Sequence, residues 1–198
     1  ALVSAVNDSF NRVTVDGDTS TNDTCILMAS GKAAPAGAPA ITAGSAAFAE
    51  FEAALRAVTT TLARAMAADG EGATKLITVH VTGAATDADA DAAARTVANS
   101  PLVKTAIFGH DANWGRIAGA LGRSGAQFAQ ENVSIDIMGL PVMRGGLPVP
   151  FDEEEALRRF EAAEILLAAD LGAGDAEAVV WTCDFSHEYV SINGDYRS

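Results

Sequence analysis

Four stretches of the chain concentrate side chains able to do chemistry. The first, Asp16-Gly-Asp-Thr-Ser-Thr-Asn-Asp-Thr24, carries a hydrogen-bonding side chain at eight of its nine positions. It can wall a polar site, or be a turn held by Asx and Ser/Thr bonds to its own backbone. The second, Asp69-Gly-Glu-Gly-Ala-Thr-Lys75, sets Glu71 between two glycines. Such a backbone turns sharply and approaches a neighbour closely, which would hold the carboxylate at a fixed place. The plainer alternative is a helix stop with solvated charges. The third runs from Ser100 to Arg116 through Phe-Gly-His-Asp-Ala-Asn-Trp-Gly-Arg. A strand that passes through this loop into a helix near Asn113 would leave free N–H groups suited to an anion. Equally, Asp111 or Asn113 caps that helix and Trp114 belongs to the core. The fourth, Tyr189 to Ser198, holds two tyrosines, an Asn and a Gly. Chain ends usually fray, so this composition predicts a terminus that is tied down, at a site or for stability alone.

Other patterns fail on inspection. Asp16-Gly17-Asp18 opens like a calcium loop, but that loop needs Gly at its sixth position and Glu at its twelfth, where Thr21 and Leu27 stand. Gly70 to Lys75 lacks the full phosphate-loop spacing. His80, His110 and His187 show no short ligand spacing, and Cys25 and Cys183 cannot complete a structural zinc site without them. No metal is expected.

Composition limits the classes of function. The chain has 198 residues, enough for one substantial domain. Apolar residues make up 49% and charged residues 20%, as in a folded protein rather than a disordered tail. Thirteen basic residues stand against 26 acidic ones, a net charge of −13. That surface repels phosphate backbones and anionic lipid, so neither nucleic acid nor membrane is an expected partner. One local positive site can still bind a small anion. Two distant cysteines exclude a disulfide framework and suggest a reducing compartment. No apolar run approaches the ~20 residues of a membrane span, and no signal segment opens the chain. The first residue is Ala1 rather than Met and leads straight into a helical pattern, so the expectation is that 198 is not the length of a gene product.

The elements that must position these residues follow from periodicity and punctuation. Leu2, Val6 and Phe10 predict a helix over residues 1–10, and residues 11–15 a short strand. Cys25–Ala29 reads as a buried strand, and the Ala-, Pro- and Gly-rich stretch 32–44 as a surface loop. Phe48, Phe51, Leu55, Val58, Leu62 and Met66 share one face of a helix that stops near Asp69. Residues 75–81 alternate as a strand. Thr86 caps a helix over 86–98 with Asp87, Asp89 and Asp91 at its front. Residues 103–108 read as a strand and 113–122 as a helix. Residues 133–138 predict a strand, 142–149 a hairpin and 152–163 a charged helix. Two more strands, 165–171 and 178–185, are joined by a turn at Gly172–Gly174. The order predicts an α+β or α/β arrangement of sheet and helices in one domain over 1–198.

The four polar segments resemble one family, ornithine acetyltransferase, also called glutamate N-acetyltransferase. The matching stretches are DGDTSTNDT, DGEGATK, SPLVKTAIFGHDANWGR and CDFSHEYVSINGDYRS, in the family's order and across nearly the whole chain. The resemblance implies a precursor that cuts itself into an α and a β chain, with a threonine at the new β N-terminus as nucleophile. It implies an α+β fold, an αββα sandwich like that of the N-terminal-nucleophile hydrolases, of which this chain is the β-chain portion, and an α2β2 assembly. It implies acetyl transfer from N-acetylornithine to glutamate through an acetyl-threonine, serving arginine biosynthesis in the cytoplasm. No cofactor is implied, although acetyl-coenzyme A can be a donor in some members.

Residue by residue, the resemblance assigns substrate contacts to Glu71, Asn193 and Ser198, with Ser198 keeping a hydroxyl where the family often has Thr. Asp16, Asp18, Thr19, Asn22, Asn113 and Arg116 fall to structural support near the site. The sequence also departs from the family. Ala1 has no hydroxyl and cannot be the nucleophile, and the residues after it match the helix downstream of the family's β-chain start. The nucleophilic threonine is therefore expected outside this sequence, and the oxyanion donors on the α chain. A hydrolase on the same self-cleaving scaffold and a non-catalytic binding homologue are the alternative readings.

Overall fold

A computed structural model describes residues 1–196; Arg197 and Ser198 lie outside the described residues, so the expected Ser198 contact is not placed. In chain order the helices are α1 (Leu2–Asn7), α2 (Ala46–Ala68), α3 (Asp87–Ala98), α4 (Pro101–Phe108), α5 (Trp114–Gly122), α6 (Glu153–Arg159) and α7 (His187–Asp195). The strands are β1 (Leu76–Ala84), β2 (Ser134–Ile137), β3 (Leu140–Arg144), β4 (Leu147–Pro148), β5 (Glu164–Asp170) and β6 (Ala176–Cys183). They form one mixed six-stranded sheet in the order β4-β3-β2-β5-β1-β6. β1 pairs in parallel with β5 and antiparallel with β6, so it lies between two strands that are neighbours in sequence. The class is α+β.

The alternation in β1 decides which way the sheet faces. Ile77, Val79 and Val81 point into the main core with Ile165, Leu167 and Ala169 of β5 and Ile135 and Ile137 of β2. α3 covers that face. Thr86 caps it by accepting from the Asp89 N–H, and its buried side is Ala90, Ala93, Ala94, Val97 and Ala98. These small residues let the helix lie close on β1 and β6. α5 follows beside α3, capped by Asn113, one of the two candidate caps. On the other face, Phe10, Val13, Leu76 and Val179 pack around Ala63, Ala67 and Trp181 beneath α2. Thr78, His80 and Ala168 remain half-exposed, and Leu166 is 39% exposed.

Four expectations need correction. Residues 103–108 form helix α4, not a strand. Ser100 caps it by accepting from the Val103 N–H, and Pro101 occupies its first turn, where the missing N–H costs nothing. Cys25–Ala29 is neither buried nor a strand; Met28 is 87% exposed. An apolar run carries no strand without a neighbour to pair with. Residues 11–15 make only one parallel bridge, Val13 to Trp181, after a 3-10 turn over Phe10–Arg12. Helix α2 has the expected length and stop, but the expected core face is turned outward. Phe51, Val58, Leu62 and Met66 are exposed, and Thr59, Ala63 and Ala67 face inward.

Candidate functional site

The four polar segments converge beyond the end of β6. Asp184, fully buried just past that strand, accepts from Thr74 N at 2.7 Å, Thr74 Oγ1 at 2.5 Å and Lys75 N at 2.8 Å. These three bonds lock the second segment to the fourth. Ser186 adds a bond from its Oγ to Gly72 O at 2.6 Å while also capping α7. Gly72 is required here. Its φ is +68°, and a Cβ would stand 2.6 Å from the Tyr189 backbone nitrogen. Glu71, between Gly70 and Gly72, is exposed on the rim of this junction.

The third segment enters through Lys104. In a helix, Lys104 shares a face with Val103 and Ile107, and it is fully buried. Its Nζ donates to Thr182 Oγ1 at 2.6 Å and to Cys183 O, and it lies 4.4 Å above the Phe185 ring. Phe185 stacks on Tyr189 with ring centroids 4.4 Å apart. The Tyr189 hydroxyl donates to Asp16 Oδ2 at 3.0 Å, which brings in the first segment. A cleft of about 660 Å³ opens between α4 and α7, lined by residues that include Thr105, Phe108, Phe185, His187 and Tyr189.

The electrostatics follow from burial and crowded carboxylates. Burial lowers the Lys104 ammonium to about 8, against the pull of Cys183, Asp184 and Asp16. Burial and the bond to Asp16 push the Tyr189 phenol up to about 12, and the charges of Asp16, Glu71 and Asp18 add to it. Burial also raises the Cys183 thiol, opposed by Lys104 and reinforced by Asp184 and Glu71. Asp16, Asp18 and Glu71 therefore act on one place.

Of the residues singled out from sequence, Asp16 accepts from the Tyr189 hydroxyl, and the charge of Glu71 acts on the same phenol. Asp18 donates its backbone N–H to Asp16 Oδ1 at 2.9 Å in an Asx turn. Asn22 accepts from Thr21 Oγ1 at 3.2 Å, and Thr19 is exposed in the same loop. Asn113 caps α5 and donates to Asp111 Oδ2 at 2.9 Å. Arg116 donates to Leu102 O at 2.7 Å and braces α4 against α5. Asn193 lies on exposed α7 and donates to Tyr189 O at 3.0 Å. Lys104 and Asp184 were missed. The signal for Lys104 was its place beside Val103 and Ile107 at helical spacing, which a strand reading hides.

A family model for the ArgJ family matches residues 1–198. The chain belongs to the ArgJ family. An arginine biosynthesis bifunctional protein ArgJ from Symbiobacterium thermophilum is 53% identical over 198 residues, covering 100% of this chain and 48% of that protein. The ArgJ protein of Chlorobaculum tepidum is 52% identical over the same span and share. The chain thus spans about half the length of the curated relatives it matches. A crystal structure of ArgJ from Bacillus halodurans superposes with a TM-score of 0.92 at 44% identity, over 98% of this chain and 91% of the solved one. One relative, from Schizosaccharomyces japonicus, is named as mitochondrial. No helix among the described residues is long and apolar enough to cross a membrane.

Proposed function

We propose that this chain is the β-chain portion of an acetyltransferase that moves acetyl from N-acetylornithine to glutamate. The observation that carries the reading is the convergence of Asp16, Glu71, Lys104 and Tyr189 from four distant segments, in a chain whose ArgJ relatives are named for arginine biosynthesis. The acidic rim suits the ammonium groups of ornithine and glutamate. Glu71 contacts substrate and orders the surroundings of the nucleophile, and Asn193 and Ser198 hold the amino-acid end.

The nucleophile is a threonine outside this sequence, at the start of a self-cleaved β chain. Its own α-amino group, with pKa about 8, takes the hydroxyl proton. The hydroxyl attacks the acetyl carbonyl, donors on the α chain hold the oxyanion, and ornithine leaves with the proton. Glutamate then attacks the acetyl ester through its amine and frees the threonine. The α-amino-acid ends of the two substrates are alike, so one pocket serves both in turn. Acetyl-coenzyme A is a further possible donor, and the cytoplasm is the proposed location.

An α chain completes the αββα sandwich and pairs into α2β2. Two features support a partner layer. The half-open sheet face around Leu166 and the outward apolar row of α2 both await cover. The solved Bacillus halodurans chain is matched over 91% of its length, whereas curated relatives are matched over 48% of theirs, as expected if the solved chain is one half of a cut precursor.

The test is kinetic. The assembled enzyme should transfer acetyl from N-acetylornithine to glutamate with ping-pong behaviour. Dominant hydrolysis of N-acetylornithine would favour an amidase instead. A gene without a threonine at an upstream cleavage junction would favour a non-catalytic binding homologue.

A further inference from the structure

The convergence is built around a group to which acetyl transfer gives no task. Lys104 is fully buried. A buried ammonium is costly unless it is bonded and compensated, and a methionine would fill the same space on α4 without that cost. The amine therefore does something that packing alone does not.

Its surroundings show what. The ammonium binds Thr182 Oγ1 and Cys183 O at the end of β6 and sits on the Phe185 ring. Phe185 carries Tyr189, and Tyr189 holds Asp16. From another direction Asp184 grips Thr74 and Lys75, which close the loop bearing Glu71. The strand end is thus held twice, by Lys104 toward α4 and by Asp184 toward the Glu71 loop. Just past the two holds the chain turns into α7, which bears Asn193.

We infer that Lys104 is a positioning residue: it holds the Cys183–Tyr189 turn so that Glu71, Asp16 and Asn193 keep fixed mutual places, without touching substrate itself. The kinetic part of this inference rests on the acetyltransferase reading; the structural part does not. The ammonium contacts Thr182, Cys183 and the Phe185 ring, and the titratable groups whose charges act on it are Cys183, Asp184 and Asp16. With its pKa lowered to about 8, Lys104 is charged at neutral pH and loses that charge on the alkaline side. A neutral amine keeps donors for Thr182 and Cys183 but loses its attraction to the ring and to the carboxylates.

The experiment compares Lys104→Met and Phe185→Leu with wild type in the enzyme assembled from both chains. KM for both substrates should rise about tenfold in Lys104→Met with kcat changed less than about threefold. Hydrogen exchange should quicken in peptides over residues 69–75 and 183–192 and stay unchanged elsewhere. Wild type should lose substrate affinity as pH rises through about 8, and Lys104→Met should lack that limb. Unchanged KM with unchanged exchange would overturn the inference, as would faster exchange across the whole sheet. If wild type transfers no acetyl, the functional reading falls and local exchange alone decides the role of Lys104. If Lys104→Met does not fold, Phe185→Leu decides by the same readouts, since it removes the ring and leaves the two hydrogen bonds.

Discussion

Leu167 and Leu166 are adjacent on β5, yet one is 2% exposed and the other 39%. Leu167 points into the face covered by α3, beside Ile77, Val79 and Ile137. Leu166 points to the other face, where α2 covers the region of Trp181, Val179 and Leu76. The closed face is a finished core. The open face has the pleat of a buried sheet, with no layer over Thr78, His80 or Leu166 among the described residues. The same contrast divides α2, whose small residues face inward and whose large apolar residues face out. Hydrophobic surface left in such a pattern is what the proposed α-chain layer would cover. Glu71 and its neighbours lie at the end of the sheet, where both faces meet.

The largest effect should come from the closed face. Leu167→Ala should cost about 3 kcal/mol in denaturant unfolding, from lost transfer free energy and a cavity that cannot collapse. A cost below about 1 kcal/mol would mean that this face is not tightly packed. Next comes the rim. Glu71→Ala in the assembled enzyme should cut kcat/KM by more than about tenfold, or about 1.4 kcal/mol, with the melting temperature kept. Unchanged kinetics would return Glu71 to a solvated helix stop. Asn193→Ala should raise KM for N-acetylornithine and glutamate together, and an effect on only one would break the shared-pocket idea.

A third effect is a slope with pH. Lys104 has a folded pKa of about 8, below its ordinary 10.5. Between those values the unfolded chain holds a proton that the folded chain has released. Stability relative to Lys104→Met should therefore rise as pH increases from about 8 toward 10.5. A flat difference would mean that the amine is not desolvated. The smallest effect belongs to the open face. Leu166→Ala should cost less than about 0.5 kcal/mol in this chain by itself. In the assembled protein the cost should exceed about 1 kcal/mol, because a covering layer would then bury the side chain. Equal costs in the two settings would leave the open face without a partner.

Local chemistry was legible wherever a short signal carried it. Thr86 before three aspartates marked α3, and Asn113 marked the start of α5, because a cap needs only residues within one turn. Residues 103–108 read as a strand although Ser100 and Pro101 carry the helix-start signal. Six apolar-rich residues suit either period, and the strand reading sent Lys104 to the wrong face. Cys25–Ala29 failed for a related reason, since hydrophobicity without a pairing strand specifies no sheet. The residues that line the convergence were already conspicuous as four polar segments, but their roles at the meeting point were not.

By itself the sequence determined which segments are chemically unusual, where most helices begin, the acidic balance and the family. Those depend on residue types and near-neighbour spacing. Only the tertiary structure decided that β1 separates β5 from β6, and that α2 turns its large residues outward. It also set Tyr189 beside Asp16 across 173 positions and buried a lysine among Thr182, Cys183 and Phe185. Each of these is a contact between distant parts of the chain. Such contacts are chosen by which surfaces bury each other best, and no local pattern encodes that choice.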